Sequence, residues 1–217
     1  MDIDQNINKI NPHQEIRDII VAIVIMIVLF AVFVMYGSIF FSSDSLAVHI
    51  GISLIEVVVI FFLNSKYPIR FLHIANIRKV FIYGLGWSLL PLMIFCYQNI
   101  NQEFKIPSNI VQFQQFNDFE KIIFFMANTI FPAFLEETLF RGYLYRILRN
   151  RYDMFWGVLI STLLFAAIHE FQPPMIFFQS LLWTYVYEKT DSIWGSTLTH
   201  FMNNFIWFIL AYSIFTR

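Results

Sequence analysis

Two adjacent glutamates, Glu136 and Glu137, sit among Phe134, Leu135, Leu139 and Phe140. A carboxylate placed in hydrocarbon costs roughly 2.5–3.5 kcal/mol on insertion scales, so acids in such a setting mark a functional site by default. Three more polar features follow at helical spacing: Arg141, four residues after Glu137; His169, four after Phe165; and Asn204, four after His200. Residues four apart share a helix face. Glu136 points about 100° away from Glu137 and addresses a different neighbour. Hydrolysis of a peptide bond needs these group types: a base for water, donors or a metal for the oxyanion, and an acid for the leaving amine. A glutamate in a dry pocket suits the base role. His169 and His200 with Glu136 make a candidate Zn²⁺ set that leaves a position for water. Without metal, His200 and Asn204 are candidate oxyanion donors. The common His-Glu-x-x-His zinc motif is absent.

The elements that must hold these groups are read from hydropathy. Only 13% of the 217 residues are charged and mean hydropathy is +0.63, against about 25% charged in an ordinary soluble domain, which points to the bilayer. A net charge of −1 argues against a nucleic-acid partner. Cys96 is the only cysteine, which excludes an internal disulfide and disfavours thiol-ligated zinc. About seven apolar runs are candidate spans: Ile19–Phe41, Leu46–Leu63, Val80–Tyr97, Lys121–Arg149, Met154–Glu170, Met175–Tyr187 and Ser192–Phe215. The first is too long for a signal-peptide core and reads as a retained anchor. The polar stretch Gln98–Lys121 separates N-terminal helices (1–98) from a core (121–217) within one membrane domain. The fold expected is an all-α polytopic transmembrane bundle of about seven helices, with the chemistry in the last four.

Lys66, Arg70, Arg78 and Lys79 in one linker, and Arg146, Arg149 and Arg151 in another, place both linkers on the cytoplasmic side by the positive-inside rule. Glu136 and His169 lie about equally far in sequence from the Arg149–Asp153 turn, so two antiparallel helices joined there bring them to one depth. Pro173 and Pro174 follow closely, and Phe171–Pro174 reads as a buried or re-entrant turn. Water is expected to enter from the cytoplasmic side, between the fourth, fifth and seventh spans.

Each feature has a plainer reading. Glu136, Glu137 and Arg141 could form a solvated helix end, His169 a packed core histidine, and Asn204 or Asn203 an interhelical hydrogen bond. His49 and Glu56, seven apart on the second span, read as a structural or cavity-lining pair. Taken together, however, Glu136-Glu137-Thr138-Leu139-Phe140-Arg141 matches E-E-x-x-x-R, Phe165–His169 matches F-x-x-x-H, and His200–Asn204 matches H-x-x-x-N. In order and spacing these motifs, over roughly 124–208, resemble the CAAX prenyl protease type 2 and bacteriocin-processing (Abi) family. That resemblance implies a glutamate-dependent intramembrane endopeptidase, usually described as a metalloprotease. It implies Glu136 and His169 as the water-activating pair, His200 and Asn204 as transition-state or metal-holding groups, and Glu137 and Arg141 as site-shaping. The expected partners are a membrane-associated peptide or protein substrate and the bilayer, in a multi-pass protein of the cell membrane. The rival readings are a non-catalytic immunity or regulatory protein of the same fold and a proton-coupled transporter. A transporter would favour repeats and broken helices, and no repeat is present.

Overall fold

The computed structural model describes residues 46–67, 76–90, 108–169 and 173–215, with residue 93 and scattered positions between 17 and 29. Most of the Ile19–Phe41 span, the end of the third span, Cys96, and Phe171 with Gln172 lie outside the described residues. Every regular element among the described residues is helical: α1 (Leu46–Lys66), α2 (Ile77–Gly86), α3 (Ser108–Phe113), α4 (Asp118–Glu137), a π-helical segment (Thr138–Tyr145), α5 (Arg146–Arg151), α6 (Met154–Ile168), α7 (Pro173–Thr190) and α8 (Ile193–Phe215). The protein is an all-α helix bundle of membrane type. Among the described residues, Leu46–Lys66 and the continuous 34-residue helix Asp118–Arg151 are long and apolar enough to cross a bilayer. The latter is roughly 50 Å long against a hydrocarbon core of about 30 Å, so one or both ends project.

Local chemistry sets the ends. Asn117 and Glu120 close a reciprocal capping box at the start of α4, with bonds of 2.9 and 3.0 Å. Such a box satisfies two of the N–H groups that a helix start leaves without partners. Asp153 caps α6 by accepting from the Trp156 N–H at 2.9 Å. At Gly157 any Cβ would stand 3.0 Å from the Arg149 backbone nitrogen, so glycine lets α5 and α6 fold tightly against each other. In α4 the side chains of Asn128 and Thr129, and just beyond it that of Thr138, donate to carbonyls four residues back. Polar groups are thereby satisfied inside the span.

Two boundaries differ from the sequence expectation. α6 stops at Ile168 and His169 occupies its C-cap, whereas the apolar pattern carried the helix to Glu170. α7 begins at Pro173 and reaches Thr190, beyond both ends of the Met175–Tyr187 run, while Phe171 and Gln172 of the expected turn lie outside the described residues. Proline suits the first turn of a helix because its missing N–H would have no intrahelical partner there.

Cross-helix contacts fix the directions. His49 meets Phe124 edge-on with centroids 5.5 Å apart, and Tyr143 Oη donates to Asn64 at 3.4 Å. α1 and α4 therefore run parallel, and Lys66 ends level with the basic α5. Arg149 pairs with Glu188 at 3.1 Å, which brings the end of α7 to the same pole. Asp18 joins it there, accepting from Lys66 at 3.1 Å and Tyr67 at 3.0 Å. Lys66 chiefly holds the Asp18 carboxyl below the usual carboxylate range. One end of the bundle thus gathers Arg17, Lys66, Arg146, Arg149 and Arg151.

Candidate active site

The polar groups singled out from sequence converge from α4, the π segment, α6 and α8. Glu136 Oε2 stands 3.8 Å from His169 Nε2 and 4.0 Å from His200 Nε2. Glu137, fully buried, accepts from Arg141 at 2.9 Å and from His200 Nδ1 at 3.0 Å through one oxygen. Arg141, 1% exposed, also donates to the Ser180 carbonyl at 2.8 Å and hydroxyl at 2.7 Å. In a π-helix the bonds run i→i+5 and the turn is wider. Arg141 leaves that widened stretch to reach back to Glu137 and across to α7.

The hydrogen bonds determine which atoms face the reaction space. His169 Nδ1 lies 2.9 Å from the Phe165 carbonyl. A carbonyl only accepts, so Nδ1 carries a proton, and in the neutral form of the ring it is the Nε2 lone pair that faces Glu136. His200 Nδ1 likewise donates to Glu137, leaving Nε2 directed at the same carboxylate. The rings are held from the side. His169 stacks on Phe165 at 4.4 Å and His200 on Trp183 at 3.7 Å. On α7 and α8, Gln179 Nε2 donates to Asn203 Oδ1 at 3.0 Å, and Asn203 Nδ2 donates to Asn204 Oδ1 at 3.4 Å. This relay occupies the Asn204 oxygen and leaves its Nδ2 to serve as a donor at the site.

A cavity of about 450 Å³ begins at Glu136, His169, His200 and Asn204 and continues between α4 and α8 past Pro132 and Asn128. His49 lines its side. Pro132 has no N–H for the Asn128 carbonyl, so this part of α4 lacks one helical bond. Toward the basic end the space is filled by Phe140, Tyr143, Leu144, Phe165 and Trp183, all buried. The sequence suggested water entry straight from that end. Among the described residues the cavity extends along α4 and α8, past Pro132 and Asn128 to Phe208 and Ala211.

Sequence reading missed Gln179, Ser180 and Trp183. A signal existed: Ser180 with Thr184, and Gln179 with Trp183, are four apart on α7, each pair sharing a face. His49 lies on the cavity wall. Glu56, buried on α1, is close enough to feel the Glu136 charge.

The donor set was weighed for Zn²⁺. Two imidazoles anchored through Nδ1 and a carboxylate oxygen have suitable chemistry. Their arrangement does not suit it: among the described residues no three His, Cys, Asp or Glu side chains form a group that could hold a metal ion. Ligands around a tetrahedral Zn²⁺ sit roughly 3.3–3.6 Å from one another, closer than the 3.8 and 4.0 Å found here.

No curated protein and no solved structure matches the chain. The family model described as type II CAAX prenyl endopeptidase Rce1-like matches residues 118–206. That stretch runs from the start of α4 into α8 and includes Glu136, Glu137, Arg141, His169, His200 and Asn204. With their helical fold and buried carboxylate–imidazole cluster, residues 118–206 are similar to the Rce1-like group of type II CAAX prenyl endopeptidases.

Proposed function

We propose that this protein is an intramembrane endopeptidase that hydrolyses a membrane-associated peptide with Glu136 as its base. One observation carries the reading: Glu136 Oε2 and His169 Nε2 face each other at 3.8 Å. With His169 neutral both atoms are acceptors and cannot bond each other, and a water between them can donate one proton to each. Its lone pairs then point away from both, toward an incoming carbonyl carbon. The Glu136 oxygen is buried and takes no hydrogen bond from a described residue, as suits a base awaiting water.

The steps follow from the side chains. Water attacks the scissile carbonyl carbon and Glu136 takes its proton. The oxyanion accepts from Asn204 Nδ2 and from His200 Nε2, which is a donor when the ring carries both protons. The Glu137 carboxylate holds the ring in place through Nδ1. The tetrahedral intermediate collapses, the C–N bond breaks, and Glu136 returns its proton to the leaving nitrogen. Arg141 and Ser180 hold Glu137, and hence His200, in place.

The cavity suits a peptide. From Glu136 to Asn128 it follows α4 for about 12 Å, the reach of about three to four extended residues. In the orientation proposed, the pole bearing Arg17, Lys66 and Arg146–Arg151 faces the cytoplasm in a multi-pass cell-membrane protein. The test compares peptides from membranes carrying the wild-type chain with those carrying Glu136→Ala. An uncut precursor that accumulates only with Glu136→Ala supports the reading. Indistinguishable peptide sets at equal protein levels overturn it.

A further inference from the structure

A second cavity lies at the basic end of the bundle, away from the catalytic groups. It measures about 460 Å³ and is lined by Arg146, Arg149 and Asn150 from α5, Tyr187 and Glu188 from α7, and Asp191 from the turn into α8. Two cations and two carboxylates line it, so its formal charge is zero but its charges are distinct. Arg149 and Glu188 satisfy each other at 3.1 Å. Arg146 is in none of the ion pairs of the described residues and lines the cavity with Asp191 and Tyr187. Asp191 is the one non-glycine residue with positive φ among the described residues, at 49°. Backbone in that region is uncommon for side chains other than Asn, Asp and His. The turn thus holds a carboxylate at the cavity rim through a conformation few residues accept.

We propose that this cavity binds the zwitterionic phosphoethanolamine headgroup of a phospholipid. Arg146 donates to the phosphate oxygens, with Asn150 beside it, and Asp191 accepts from the ammonium N–H groups. The balance of charge selects the class. A headgroup with only negative charge would meet Glu188 and Asp191 unfavourably, and a quaternary choline has no N–H to donate to them. Free phosphoethanolamine carries the same charges. The lipid is the source favoured by position: the cavity lies at the Arg146–Arg151 end of the 34-residue apolar helix, at the pole that gathers Arg17, Lys66 and Arg146–Arg151, where in the orientation proposed basic pockets meet headgroups. This inference does not rest on the peptidase reading.

The test uses the whole purified protein in detergent, with binding read by native mass spectrometry and melting temperature. The probes are phosphatidylethanolamine, phosphatidylcholine, phosphatidylglycerol, free phosphoethanolamine and inorganic phosphate. Phosphatidylethanolamine should bind about tenfold or more tightly than the other two lipids, the scale of losing a charge-assisted hydrogen bond. Arg146→Gln and Asp191→Asn should each remove that preference, and Asn tolerates the backbone that Asp191 adopts. Equal binding of the three lipids, or an unchanged preference in both folded variants, overturns the site. Free phosphoethanolamine binding as tightly as the lipid overturns the lipid as its source.

Discussion

Arg141→Met should be among the most destabilising single changes in this chain. Arg141 and Glu137 are 1% and 0% exposed at the side chain, and their ion pair is 2.9 Å long. Removing one partner of such a pair leaves a buried charge poorly compensated, at a cost of about 3–5 kcal/mol. His200 still donates to Glu137, which sets the lower end of that range for this site. The two donations to Ser180 disappear as well. Lysine is no substitute, since a single ammonium cannot hold Glu137 and both Ser180 oxygens with the planar fork of arginine. The double variant Glu137→Gln/Arg141→Met removes both charges and should lose less than Arg141→Met alone, with a coupling of about 0.5–3 kcal/mol. The assay is reversible unfolding in mixed micelles with increasing denaturing detergent, on the wild type, both single variants and the double variant. A loss below about 1 kcal/mol for Arg141→Met, as for an exposed pair, would refute the view that this ion pair is the buried brace of the site.

Three further outcomes are expected. Asn204→Leu removes the amide held toward the site by Asn203 and should lower kcat about 10²–10³-fold with a smaller change in KM, as for loss of an oxyanion donor; an unchanged kcat in folded protein contradicts that role. Active enzyme should contain no stoichiometric transition metal and should resist chelators, because the Glu136, His169 and His200 spacing is wide for Zn²⁺; one zinc per active chain, with activity lost on its removal, would reverse this. Single cysteines at Asn150 and Lys189, in a Cys96→Ala background, should react with an impermeant reagent from the cytoplasmic face and one at Phe119 from the other; the opposite pattern inverts the proposed orientation.

The polar constellation was legible in sequence because charge in an apolar helix is conspicuous and because a four-residue spacing says which groups share a face. Glu136 and His169 could be brought to one depth from the length of chain on either side of the Arg149–Asp153 turn alone. Their supports were harder to read. Gln179 and Trp183 act through partners on another helix, Asn203 and His200, and no local pattern on α7 announces that pairing. The π segment after Glu137 has no compositional mark, since Thr138–Tyr145 would serve equally in an α-helix. Nor does the sequence say which way the cavity runs; it follows α4 and α8 past Pro132 and Asn128. The start of α7 was hard to place because a turn and a helix start use proline alike, and the fold puts Pro173 and Pro174 at the helix start.

The most direct measurement is single-turnover cleavage of a quenched, membrane-partitioning peptide by purified wild-type protein, Glu136→Gln and His169→Ala, each checked for an unchanged melting temperature. The wild type should cleave, and both variants should be slower by at least about 10²-fold, the scale of losing a positioned proton-transfer group. Cleavage by Glu136→Gln at the wild-type rate would contradict the claim that this carboxylate activates the attacking water.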